Sequence, residues 1–163
     1  MKSPRTLVDI PTPALIVDAA AMDRNIQRMA EFFAARPCKL RPHFKAHKTP
    51  EIARRQLAAG SCTGLTCATV SEAEAVAPLA ADILIANEIV DRDQCRRAAA
   101  LARGIAVTVA ADSITGLEHM SGAAAAAGVT IGVPIDLNVG QNRCGGALGE
   151  EAVVLGRQPI GQR

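Results

Sequence analysis

Apolar and polar positions along the chain fall into blocks whose period switches between two and about 3.6. Residues 12–18 form a short apolar run that reads as a strand, and Asp18 reads as the N-cap of the helix that follows. Met22, Ile26, Met29 and Phe33 recur at helical spacing until Arg36-Pro37 ends the pattern. Residues 39–47 read as the next strand. Thr49-Pro50-Glu51 then predicts a helix start, with a cap, a proline at the first helical position and an acid in the first turn. Gly60 closes that helix after Arg54-Arg55. Further strands are expected at 64–70, 82–90, 105–110 and 129–139. Between them, Ser71-Glu72-Ala73-Glu74 predicts a capping box, Asp91 and Asp112-Ser113 start helices, and Gly128 ends an alanine-rich one. Residues 150–157 begin one more helix.

From residue 39 onward, five strands each lead into a helix or a helix start, and that alternation argues for a parallel sheet. Three of the strands carry polar groups late: Lys45 and His47, then Asn87, then Asp136 and Asn138. Polar side chains at C-terminal strand ends are what the mouth of a (β/α)8 barrel requires. A closed barrel needs eight units and typically ~250 residues. The expected fold is therefore α/β, a partial TIM-like barrel of about five βα units. The chain reads as the first part of a longer protein.

Composition narrows the function. The chain is 49% apolar and 21% charged, as globular domains are. Its 18 basic and 16 acidic residues leave a net charge of +2, too little to make nucleic acid the expected partner. No apolar run reaches the ~18 residues of a membrane span. Residues 1–5 are too broken for a signal peptide. Five cysteines without a CxxC pair suggest reduced thiols and a cytoplasmic protein. There is no Trp or Tyr, so a mechanism needing a tyrosine must take it from elsewhere.

The densest chemistry lies in Arg41-Pro42-His43-Phe44-Lys45-Ala46-His47-Lys48. As a strand, this segment sends Arg41, His43, Lys45 and His47 to one face and Leu40, Pro42, Phe44 and Ala46 to the other. Lys45 is then a candidate carbonyl-trapping amine, and a solvent-facing lysine on an amphipathic strand is the plainer alternative. His43 and His47 read first as packing or hydrogen-bonding residues rather than metal ligands, and Lys48 as a surface residue. Asn87 either caps a strand end or faces a ligand. Arg54-Arg55 and Arg96-Arg97 read as solvated helix faces, without aromatic platforms for bases to stack on.

Three ordered motifs carry a resemblance: Thr12-Pro13-Ala14-Leu15-Ile16-Val17-Asp18, the Arg41 to Lys48 segment, and Val139-Gly140-Gln141-Asn142-Arg143-Cys144-Gly145. From about residue 8 to about residue 148 the chain resembles the fold-type III pyridoxal-phosphate enzymes, in the D-threonine aldolase and D-serine dehydratase branch near the alanine racemase N-terminal barrel. The resemblance implies that Lys45 is the catalytic residue and holds pyridoxal 5'-phosphate. It implies that Arg143 bonds the cofactor's phenolic oxygen. His43 and Asn87 complete the expected cofactor-binding set, and no metal ligand is expected in this chain. The opening strand would pair with a C-terminal β-domain further along. The phosphate grip and any divalent metal, manganese or zinc, would belong to that full-length protein. Asn138 departs from the pattern, standing where many relatives have an aspartate.

The function so implied is retro-aldol cleavage of a D-β-hydroxy amino acid to glycine and an aldehyde. A D-serine dehydratase-like lyase and a non-catalytic pyridoxal-phosphate homeostasis protein are the alternatives. The expected partner is a small D-amino acid, with no nucleic acid and no membrane, in a homodimer at full length. Activity of residues 1–163 alone is expected to be impaired.

Overall fold

The structure, a computed structural model, describes residues 6–157. The broken N-terminal run 1–5 and the tail 158–163 lie outside the described residues. Three parallel strands, β1 (Leu65–Cys67), β2 (Asp82–Ile85) and β3 (Ala106–Val109), stand side by side in chain order. Leu65 pairs with Ile83, and Ile83 with Val107. Single parallel bridges extend this wall at both edges, Leu40 to Cys62 and His43 to Thr66 on one side, Thr108 to Gly132 and Ala111 to Ile135 on the other. Helices α1 (Ala19–Ala34), α2 (Pro50–Ala58), α3 (Val70–Val76), α4 (Arg92–Leu101), α5 (Ile114–Ala127) and α6 (Glu150–Gly156) alternate with these segments. The arrangement is part of a TIM-like barrel, as the alternation predicts. Among the described residues no helix is long and apolar enough to cross a membrane.

The wall has two unlike faces because strand side chains alternate. Leu65, Cys67, Ile83 and Ile85 are fully buried on the helix side, joined by Val107 and Val109. They pack against Ala53, Ala73, Val76, Cys95, Ala98 and Ala99, whose small side chains bring the helix backbones close to the sheet. Each fully buried Ile or Leu contributes about 1.5–3 kcal/mol through removal from water. The other face carries Thr66, Leu84 and Thr108 in one register row, which continues to Gly132. A Cβ on Gly132 would stand 2.9 Å from Thr108 Oγ1, so the bare backbone is what lets this last segment join the row.

Caps hold the helix ends largely where the residues predict them. Asp18 accepts from Ala21 N, Asp91 from Gln94 N and Ser113 from Gly116 N. Gly128 ends α5 in the left-handed conformation, at φ +68°. The box at the start of α3 is two residues earlier than expected. Thr69 is the cap, accepting from Glu72 N at 3.1 Å. Ser71 and Glu74 turn outward instead, and both bond Arg97 of α4.

Three expected strands fail as continuous strands, and one of them, 129–139, is present only as isolated bridges at Gly132, Ile135 and Leu137. Residues 12–18 have no sheet partner among the described residues, and Leu15, Ile16 and Val17 stand exposed. The segment 39–47 bridges the sheet only at Leu40 and His43, then tightens into a 3-10 turn, Phe44–Ala46.

Candidate functional site

In a parallel wall every strand ends at the same rim, and that rim gathers the chain's chemistry. The first contribution follows His43. Phe44 is buried in the helix-side core, only 3% exposed, as alternation predicts, and from there the chain tightens into the 3-10 turn. Lys45 consequently sits in the 3-10 turn, at the rim and exposed. Among the described residues it forms no ion pair. His43 Nδ1 accepts from Lys45 N at 3.3 Å, capping the turn. Burial, then the Lys45 charge, pushes the His43 imidazole below its ordinary value against the opposing pull of Glu72 and Thr66. His43 is thus a neutral ring at pH 7, its acceptor nitrogen on the turn.

The far side of the turn is held more tightly. Lys48 adopts φ +47°, and its N–H donates to Phe44 O at 2.9 Å. Its ammonium donates to Glu72 Oε1, while Glu72 Oε2 accepts from Ala68 N at 2.8 Å. The Glu72 side chain is 8% exposed. Burial pushes its carboxyl up, but the Lys48 and Ala68 hydrogen bonds and the charges of Lys48 and His43 outweigh that and hold it below the usual carboxylate range. Lys48, expected as a plain surface lysine, has a buried partner. His47 behaves as a hydrogen-bonding and packing residue. Its Nδ1 accepts from Thr49 N, its Nε2 meets Gln56 Oε1, and its ring stands edge-on to Phe44 at 5.3 Å.

Arg41 does not join this group. Its guanidinium grips Asp82 with two bonds, 2.6 and 2.8 Å, at the opposite end of the strands. The clasp passes over Gly64, whose Cβ would lie 2.2 Å from Asp82 O and 3.1 Å from Arg41 Nη1. The four residues expected on one face therefore divide into a foot clasp, a capping imidazole, a rim amine and a packed imidazole.

The second cluster lies further along the rim. Exposed Asn87 and half-buried Glu88 follow β2, Asp112 follows β3, and Asp136 follows the Ile135 bridge. Glu88, Asp136 and Cys144 bring potential ligand atoms within 4.8 Å of one another. Burial first, then the facing Asp136 and Asp112, push the Glu88 carboxyl up. Exposed Arg143 stands over this group; the Cys144 side chain and the charges of Glu88 and Asp136 raise its already high value.

The loop that presents Arg143 is built by Asn138. Its Oδ1 accepts from Gly140 N at 3.0 Å and Asn142 N at 3.1 Å, and its Nδ2 donates to Asn142 Oδ1 at 3.0 Å. An aspartate could make the first two bonds but has no proton for the third. Gly145, at φ +94°, ends the loop with its N–H on Asp112 Oδ2 at 3.1 Å.

The structure thus brings Lys45 together with His43, Lys48 and Glu72, and Arg143 together with Glu88, Asp136 and Cys144. Among the described residues no hydrogen bond or ion pair joins the two clusters. Glu72, Glu88 and Asp112 were not singled out from the sequence. Strand-terminal position could have marked Glu88 and Asp112, and the Thr69-x-x-Glu72 spacing marks Glu72.

Comparison with known proteins gives concordant matches. Residues 17–159 match the family described as alanine racemase, N-terminal domain. A D-threonine aldolase from Arthrobacter sp. is 40% identical over 150 residues, which cover 91% of this chain and 39% of that protein. A 3-hydroxy-D-aspartate aldolase from Paracoccus denitrificans is 34% identical over 148 residues, 90% of this chain and 38% of that protein. The crystal structure of a D-threonine aldolase from Filomicrobium marinum superposes with a TM-score of 0.88 at 42% identity, over 96% of this chain and 43% of that one. The chain spans about two fifths of the length of these proteins.

Proposed function

The chain belongs to the alanine racemase N-terminal domain family, and from that premise we propose that it forms the cofactor-holding part of a pyridoxal-phosphate-dependent lyase that cleaves D-β-hydroxy amino acids to glycine and an aldehyde. The observation that carries this reading is Lys45: a primary amine at the strand-end rim, exposed and without an ion-pair partner among the described residues. The donor set fits the cofactor, since an amine meets its aldehyde and a guanidinium meets its ring oxygen.

Lys45 Nζ would hold pyridoxal phosphate covalently, Arg143 would bond the ring oxygen, and His43 and Asn87 would flank it. When bound, the cofactor supplies an electron-withdrawing ring that stabilises the charge left at Cα of an amino acid. His43, neutral and bonded to Lys45 N, fixes the backbone from which the amine projects. The Lys45 amine would also be placed to move a proton at Cα of a bound amino acid. Arg143 would favour the anionic form of the ring oxygen through its positive charge. A divalent metal, manganese or zinc, acting on the β-hydroxyl is proposed for a longer chain, as is the homodimer.

The test is covalent trapping. The purified chain, incubated with pyridoxal phosphate and reduced with borohydride, should carry the label on Lys45, and Lys45→Ala should lose it. Label spread over surface lysines and unchanged in Lys45→Ala would overturn the assignment. Whatever turnover of D-threonine the chain retains with added manganese should give glycine and acetaldehyde, whereas a 2-oxo acid and ammonia would identify a dehydratase.

A further inference from the structure

The turn that presents Lys45 closes with a residue the proposed chemistry does not use. Lys48 occupies the left-handed region, which is unfavourable for a residue with a side chain and persists only where its surroundings fix it. Here the fixing contact is identifiable. The Lys48 ammonium ends on Glu72, and the Glu72 side chain is itself almost fully buried and tied by its second oxygen to Ala68 N. Glu72 belongs to the first turn of α3, whose cap Thr69 holds its N–H at 3.1 Å. A residue of the next βα unit, held there by its side chain on Ala68 N and its backbone N–H on Thr69, thus grips the turn that carries Lys45.

The same pair has an electrostatic side. His43 feels the charges of both Lys45 and Glu72, so the carboxylate lies within electrostatic reach of the turn on which the amine is mounted. With Lys48 bound to it, Glu72 is already matched and does not draw Lys45 into an ion pair.

We propose that the Lys48–Glu72 pair is a positioning device for Lys45: it locks the 44–49 turn in the conformation that presents the amine at the rim, and it occupies the nearby carboxylate so that the amine stays free. This rests on the reading of Lys45 as the cofactor-holding amine. Neither Lys48 nor Glu72 touches the reacting atoms in this scheme; both act through the turn.

Two measurements on the 163-residue chain decide it. In the borohydride assay, Lys48→Met and Glu72→Gln should each lower the labelled fraction at Lys45 about tenfold, as misplacement of a reacting group does. The double variant should be no worse than either single one, because both remove one interaction. Lys48→Arg, which keeps the charge, should restore most of the labelling. Labelling of both single variants at the wild-type rate would overturn the proposal. The second measurement needs no cofactor. In Glu72→Gln, amide exchange at Lys45 and Lys48 should accelerate, and the His43 imidazole, losing the carboxylate that pulls it up, should titrate lower still. The groups facing that ring are Lys45, Glu72 and the Thr66 backbone, and only Glu72 changes. Unchanged exchange together with an unchanged His43 titration would overturn the proposal even if wild-type Lys45 takes no label. Absence of label on wild-type Lys45 would by itself count against the cofactor reading alone.

Discussion

Gly64 and Glu72 show how much a single position settles in this wall. Gly64 lies under the Arg41–Asp82 clasp, and a methyl group there would stand 2.2 Å from a backbone oxygen, which cannot move without shifting β2. Gly64→Ala should destabilise the fold by about 1–3 kcal/mol, read as a lower urea midpoint. Glu72 sets a pH dependence. Its folded carboxyl titrates below its unfolded one, so on acidification the unfolded chain takes up the proton first. The stability this group adds is complete at neutral pH and is lost as pH falls through the depressed folded value. Unfolding curves from pH 7 downward should therefore flatten in Glu72→Gln relative to the wild type across the acidic range.

At the level of elements, the helices were the legible part and the strand ends the illegible one. Asp18, Asp91, Ser113 and Gly128 cap where their side chains or their lack of one dictate. The strand at 82–90 was equally expected as an apolar run; within it Ile83 and Ile85 are fully buried, and Ile83→Ala should cost about 2–5 kcal/mol in chemical unfolding. The Lys45 strand misleads because period two assumes that the strand continues past His43. Phe44 is still buried as the pattern predicts, but the backbone tightens into a 3-10 turn from that residue on, which moves Lys45 and His47 off the strand row. Arg41 was misplaced for a related reason: its partner, Asp82, is 41 residues away, and no local pattern announces a long-range ion pair. The true cap of α3, Thr69, was hidden by a competing Ser-x-x-Glu two residues along. Thr69→Ala, removing the cap that is used, should cost about 1 kcal/mol, while Ser71→Ala should cost little.

On the scale of the whole molecule, the parallel wall of the described residues has an open edge at the Leu40 segment, while the Ile135 segment on the other side carries only the single Leu137–Gly146 bridge. Beside it, Leu15, Ile16 and Val17 expose apolar surface with no partner among the described residues. Unpaired edges and exposed apolar runs promote association. The 163-residue chain should therefore self-associate with rising concentration in sedimentation or light scattering, and Leu15→Lys with Val17→Lys should reduce it. A chain that stays monomeric throughout, with or without those changes, would contradict this.

With the Arg41 guanidinium tied down at the foot of the wall and the Lys48 ammonium matched by Glu72, the mouth sets Lys45 and Arg143 against Glu88, Asp112 and Asp136. An anionic molecule diffusing in from water gains little long-range attraction from such a balance. Its capture should respond only weakly to added salt, leaving recognition to contacts made after arrival.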